Sequence, residues 1–321
     1  MKIKSLIILS LIITAATSFT YFIAPRIITE IRNPIFELAK SKKFSPKIDD
    51  LNLERDNVEI LQFKTHDEIK LSAFISYTDK EEIKGTIILL HGIRSSKKHF
   101  KDLWSRLADL GYNSIALDLR AHGDSEGQHC TFGAKEKKDI SSLIDNLLMN
   151  PRIDKNIGIW GQSLGGAIAL QVLAYDKRIK FGIVESTFSD LKSIIHDYFE
   201  YHAGFNIKYL TNFLIQRSGE IAGFDPDAVI PLEDCKNIEQ PILLVHGNKD
   251  QRISIKYAQM NFTNIISNLK EFLEIKNANH LNVWRIGGKD YFYKVIGFIK
   301  KQTLVNLDQL NSAEVLEITP K

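Results

Sequence analysis

The stretch Ile157-Gly158-Ile159-Trp160-Gly161-Gln162-Ser163-Leu164-Gly165-Gly166-Ala167-Ile168-Ala169-Leu170 decides how the chain is read. Ile157 to Trp160 is a short apolar run of the kind buried in a parallel sheet, and Gly166 to Ala174 carries a helical pattern. Between them, Gly161-x-Ser163-x-Gly165 leaves room only for a sharp turn. A serine at the tip of such a turn is held in a strained backbone conformation that exposes its hydroxyl. Glycines flank it because a Cβ there would strike the neighbouring strand and helix. The helix behind the turn points its free N–H groups at an oxygen placed before that hydroxyl. Ser163 is therefore the candidate nucleophile, although a bare GxSxG also occurs in ordinary turns.

Outward from this turn the texture repeats. Upstream, Thr86 to Leu90 is followed by the amphipathic Phe100 to Leu110, and Ser114 to Leu117 by Ile140 to Met149. Downstream lie the apolar runs Phe181 to Val184, Ile242 to Val245 and Phe272 to Ile275, then a helical pattern around Tyr291 to Lys301. Such alternation predicts βαβ units, an α/β class and a mostly parallel sheet covered by helices on both faces. Val58 to Phe63 and Ile69 to Tyr77 alternate apolar and polar residues across His66-Asp67-Glu68, as an antiparallel hairpin does. Between Glu185 and Pro241 the alternation lapses. Aromatics at helical spacing there (Phe188, Tyr198, Phe199, Tyr201, Phe205, Tyr209, Phe213) predict an inserted helical pair, a small cap at about 187–238. The expected organisation is 1–25 apolar leader, 26–55 polar tether, 56–304 folded domain and 305–321 polar, loose tail.

A serine hydroxyl is a weak nucleophile until a histidine accepts its proton, and that histidine needs a carboxylate to fix its tautomer. His280, in Asn277-Ala278-Asn279-His280 after the last strand, is the candidate base. Asp250, in His246-Gly247-Asn248-Lys249-Asp250 after the strand before it, is the candidate acid. Both loops leave the carboxyl ends of parallel strands, where open α/β sheets place their sites. Glu185 is the rival acid, on the earlier strand. His246 reads as structural, and His66, His99, His129, His196 and His202 as solvated or packed. The oxyanion of an acyl-transfer reaction needs two N–H groups; Leu164 supplies one and Ile93, in His91-Gly92-Ile93 after the Ile87 to Leu90 run, the other. The cluster Asp118-Leu119-Arg120-Ala121-His122-Gly123-Asp124-Ser125 reads as a hydrogen-bonded brace for that loop, with substrate binding as the competing role.

Charge points nowhere in particular: 42 Lys and Arg against 39 Asp and Glu give +3, so no field favours nucleic acid. Two cysteines, Cys130 and Cys235, exclude a disulfide framework; two thiols are expected, with a single bridge open only to an oxidising compartment. No metal or cofactor spacing is present. Ser5 to Ala24 holds no charged residue, a length suited to a retained membrane anchor, while Ala16, Thr17 and Ser18 offer the small residues of a cleavable signal. Lys2 and Lys4 favour a cytoplasmic N-terminus and a single-pass chain with its domain outside the cell membrane. Arg26, Arg32, Lys40, Lys42 and Lys43 oppose that, and a cut leader would leave a secreted or periplasmic form.

Taken together, His91-Gly92, Asp118-x-Arg120-x-His122-Gly123-x-Ser125, the Gly161 to Gly166 elbow, and Pro241 to Asp250 with His280 resemble the α/β hydrolases of the serine aminopeptidase S33 and BEM46-like group, from about Val58 to Lys301. The loop reads Ala121 where related proteins often have Gly, and Ile93-Arg94 where BEM46-like proteins often have Asn and Ala. The resemblance implies an α/β-hydrolase fold and a triad of Ser163, Asp250 and His280. A membrane-held serine hydrolase acting on small or lipid-like esters or thioesters with an apolar acyl group is the resulting expectation. An aminopeptidase, which would need acids such as Asp190, Asp197, Glu200 or Glu220 to hold an amine, and a non-catalytic binding protein of the same fold are the alternatives. The oligomeric state is left open by the sequence.

Overall fold

A computed structural model describes residues 2–32, 57–205 and 207–317, with side chains from 3 to 303 of these. Eight strands form one sheet: β1 Val58–Lys64, β2 Lys70–Ser76, β3 Gly85–Leu90, β4 Tyr112–Leu117, β5 Ile157–Gln162, β6 Ile179–Glu185, β7 Ile242–Gly247 and β8 Lys270–Ile275. Their spatial order is β1-β2-β4-β3-β5-β6-β7-β8, antiparallel from β1 to β4 and parallel from β4 onward. This is the α/β-hydrolase architecture that the sequence predicts.

Central strands are apolar throughout because both faces are covered, and successive side chains go to opposite sides. In β3, Ile88 and Leu90 join one core with Ile115, Ile159 and the helices α4 Glu136–Leu148 and α5 Leu164–Tyr175. Ile87 and Leu89 join the other, with Trp104 and Leu107 of α3 Lys101–Asp109 and Tyr291, Val295 and Phe298 of the final helix. That final helix runs on from Val283 to Glu317, past the point where a loose tail was expected, with a break at Gly288.

The cap is the helical pair α6 Leu191–Ala203 and α7 Lys208–Ala222, followed by the short helix α8 Pro231–Asp234. Asp190 opens α6 by accepting the Ser193 N–H at 2.6 Å, and left-handed glycines, Gly204 and Gly223, end α6 and α7. Cys130 and Cys235 are buried free thiols.

The N-terminus departs from the reading of 26–55 as a tether. Helix α1 Lys2–Ser18 continues through a wider turn at Phe19–Ile23 into α2 Arg26–Thr29, giving an apolar helix from Ile3 to Thr29 that is long enough to cross a membrane. Arg26 to Arg32 then docks on the domain. Thr29 is fully buried, and its carbonyl accepts the Cys130 N–H at 2.9 Å. The Arg32 guanidinium bonds the carbonyls of His122, Gly123 and Ser125. Short-range patterning does not encode such long-range docking. Residues 33–55 of the expected tether lie outside the described residues.

Candidate active site

Ser163 stands between β5 and α5 at φ +54°, ψ −115°, a conformation that non-glycine residues avoid. Packing over-determines it. A Cβ on Gly161 would come 2.1 Å from the Gly165 carbonyl oxygen, and one on Gly165 would come 2.1 Å from that of Leu90, so only glycine lets strand and helix approach here. The Ser163 N–H continues the ladder to the Glu185 carbonyl at 2.8 Å. Leu164 is the first residue of α5, where an N–H has no partner within the helix.

The loops after β7 and β8 are laced together. Lys249 N–H donates to the Ala278 carbonyl and Asn248 N–H to that of Ile275, while Asn277 N–H donates to the Asn248 side chain. A Cβ on Gly247 would meet the Ala278 oxygen at 2.5 Å. This lacing brings Asp250 to His280: His280 Nδ1 lies 2.7 Å from Asp250 Oδ2, and His280 Nε2 lies 3.0 Å from Ser163 Oγ. A carboxylate only accepts, so Nδ1 carries the proton and Nε2 is free to accept the Ser163 hydroxyl. Burial pushes the Asp250 carboxyl up, but hydrogen bonds from His246 and His280 outweigh it and hold it well below the usual range. Its other oxygen accepts the Arg252 and Ile253 N–H groups, both at 2.9 Å.

Glu185, the rival acid, points elsewhere. Its carboxylate, at the end of β6, is ringed by donors: Trp160 Nε1 at 2.8 Å, Gln162 Nε2 at 2.8 Å, Trp284 Nε1 at 2.9 Å and the Tyr291 hydroxyl. Burial still raises it to about 7, against the bonds from Gln162, Trp284 and Trp160. Gln162 thereby turns its oxygen outward to His99 Nε2 at 2.7 Å. This Glu185-Gln162-His99 chain was not singled out from sequence; Gln162 is merely the free position of the elbow motif.

Behind the oxyanion loop, His91 Nε2 accepts the Leu119 N–H at 3.2 Å, which leaves the proton on Nδ1 to donate to the Gly92 carbonyl at 2.8 Å. Burial holds His91 well below its ordinary range, so this one neutral tautomer persists. Gly92 is not required by crowding. A Cβ there would make ordinary contact at 3.4 Å with Ser163 Cβ, on the side facing the hydroxyl. Asp118 accepts Lys97 N–H, Lys97 Nζ and Asp124 N–H, with Lys97 wholly buried. Arg120 makes a two-pronged pair with Asp139 and also bonds Asp67. The charges of the cluster are thus paired with neighbouring groups of the domain, Lys97, Asp67 and Asp139, as a brace requires. His66, Asp67 and Asp139 cluster as metal ligands do, but the Arg120 guanidinium already supplies the positive charge there.

Two cavities meet at Ser163. One, of about 490 Å³, is lined almost entirely by apolar groups, among them Ile27, Ile28, Phe132, Phe188, Ile194 and Phe199. The second, of about 350 Å³, is more polar than the first and includes Ser95, His99, Gln162, Arg252 and His280 beside Leu281, Val283 and Trp284. Ile93 lines both.

The chain is similar to several known proteins. A family model described as serine aminopeptidase, S33, matches residues 81–217, which include the elbow but neither Asp250 nor His280. Protein bem46 of Schizosaccharomyces pombe is 22% identical over 270 residues, 82% of this chain and 83% of that protein. The uncharacterized protein YqkD of Bacillus subtilis is 28% identical over 176 residues, 53% of this chain and 56% of its own length. Among solved structures, the Pyrococcus furiosus esterase Pf2001 superposes with a TM-score of 0.65 at 23% identity, over 82% of this chain and 99% of that one. Sheet order, the elbow at Ser163 and these likenesses agree: the chain has the α/β-hydrolase fold and is similar to proteins of the serine aminopeptidase S33 and Bem46-like group.

Proposed function

We propose that the chain is a membrane-anchored serine hydrolase that cleaves carboxylic esters or thioesters bearing an apolar acyl group. The observation that carries this reading is the hydrogen-bonded line Asp250, His280, Ser163 at the junction of an apolar cavity and a more polar one. In the first half-reaction Ser163 Oγ attacks the acyl carbonyl while His280 Nε2 takes its proton. Asp250 holds the ring and stabilises the imidazolium. The Ile93 and Leu164 N–H groups receive the oxyanion. Collapse breaks the bond to the alcohol or thiol, which leaves with the proton from His280, and the acyl group stays on Ser163. Water then attacks with His280 as base, releasing the acid and restoring the hydroxyl. The apolar cavity suits the acyl chain, and the more polar one suits the leaving group.

An aminopeptidase needs a carboxylate free to hold the substrate amine. Among the described residues, Glu185 is the one carboxylate lining either cavity, and donors take both its oxygens. Asp190 caps α6, Asp197 accepts the Tyr257 hydroxyl, Glu220 pairs with Arg217, and Glu200 is exposed on α6 and lines neither cavity. These engagements favour the ester reading. The N-terminal helix supports a membrane anchor by its length and apolarity, and a domain held outside the membrane on a retained single-pass leader is the arrangement we favour. Ser163→Ala should abolish p-nitrophenyl ester hydrolysis while leaving the unfolding transition in place. Unchanged turnover would refute the assignment.

A further inference from the structure

The apolar cavity is not closed by the domain alone. Ile27 and Ile28, in the last turn of the N-terminal apolar helix, line it together with His202 and Ala203, at the end of α6. Immediately beyond Ala203 the cap turns through Gly204 into a tip that shows water a row of large apolar side chains: Tyr201, Phe205, Ile207, Tyr209, Leu210 and Phe213. Phe205 is 64% exposed and Tyr209 92% exposed. A patch of this kind on one hairpin marks a surface made for a partner.

The same tip touches the helix. Tyr21 packs against Phe213 with ring centroids 6.2 Å apart, and the Arg217 guanidinium lies 4.4 Å from the Tyr21 centroid. The exposed cap tip therefore lies beside the exposed helix Ile3–Thr29, and Ile27-Ile28 of the helix and His202-Ala203 of the cap line the same cavity. Composition agrees with lipid rather than with a second copy of the chain. From Tyr201 to Phe213 there is no Asp or Glu, and Lys208 is the one Lys or Arg, set among aromatic and aliphatic residues as in an interfacial belt.

We propose that the cap tip dips into the bilayer leaflet that holds the C-terminal end of the N-terminal helix, and that the acyl cavity takes its substrate, an ester lipid, sideways from that leaflet. The substrate part rests on the hydrolase reading above; the membrane contact does not. Ile27 and Ile28 then serve as a specificity wall supplied by the anchor itself, which ties activity on lipid to a retained leader.

The test uses the full chain in phosphatidylcholine vesicles. Cys130 and Cys235 are buried, so a thiol-reactive fluorophore reports selectively on Tyr209→Cys, with the exposed Met149→Cys as a control. Nitroxide lipids should quench the label at 209 and not the one at 149. Equal, weak quenching at both would overturn the proposal, as would a cross-linked dimer that protects position 209 in detergent. In the second arm, Phe205→Asp combined with Tyr209→Asp should lower turnover of a long-chain monoacylglycerol carried in vesicles by about tenfold or more. Hydrolysis of water-soluble p-nitrophenyl acetate should be unchanged. An equal effect on both substrates would also overturn it. If the label is quenched but Ser163 takes no fluorophosphonate, the membrane contact stands and the hydrolase reading falls.

Discussion

Trp284 Nε1 lies 2.9 and 3.1 Å from the two carboxylate oxygens of Glu185, so the acid nearest the elbow along the sheet is spent on holding an indole. This has a measurable consequence. The Glu185 carboxyl is raised from an ordinary 4.5 to about 7 by burial. Between those values the unfolded chain has lost the proton and the folded chain keeps it, so stability falls as pH rises and levels off above about 7. The loss is on the order of 3 kcal/mol. Denaturant titrations at pH 5 and pH 8 should show it for the wild type. In Glu185→Gln, this group's contribution to the difference should vanish, even though the variant is less stable overall. An identical pH dependence in both proteins would contradict the assignment.

Asp250 behaves in the opposite sense. Its folded-state carboxyl sits well below the usual range, so its stabilising contribution is fully present above an unfolded value of about 4 and is lost on acidification below it. At neutral pH it is ionised and fixes the His280 tautomer. Asp250→Asn keeps the shape but presents an N–H or a weaker acceptor to Nδ1, and ester kcat should drop by about 1,000- to 10,000-fold with KM little changed. A loss below tenfold would mean that another group orients His280.

Two positions test the backbone argument in opposite directions. Ala121 holds φ +64°, a left-handed conformation that glycine adopts without the penalty of a Cβ. Ala121→Gly should therefore raise stability, by up to about 1 kcal/mol after the entropic cost of glycine. Gly165→Ala should do the reverse and far more strongly, since its methyl would sit 2.1 Å from the Leu90 oxygen. Loss of several kcal/mol or of soluble expression is expected. Urea midpoints and expression yields decide both.

The strand and helix runs were legible because central strands buried on two faces are apolar without interruption, and the elbow because its glycines are demanded by contacts near 2 Å. Ser163, Asp250 and His280 could be named from chain order and loop position; their distances could not. Other features escaped for a physical reason. Arg26 to Arg32 reads as a polar linker, yet Arg32 bonds three carbonyls about 90 residues away, and no local pattern encodes such docking. The apolar pair Ile27-Ile28 inside the supposed tether was the one available hint. The Glu185 cage draws on Trp160 and Gln162 of β5 and on Trp284 and Tyr291 of the final helix, and only the fold assembles them around the end of β6.

The central claim is that Ser163 is a nucleophile activated by His280. Fluorophosphonate treatment of the native full-length chain, followed by mass spectrometry of its peptides, tests it directly. The account predicts one adduct, on Ser163, lost on heat denaturation and strongly slowed in His280→Ala. A native chain that takes no adduct, or takes one at Ser163 equally fast without His280, would contradict it.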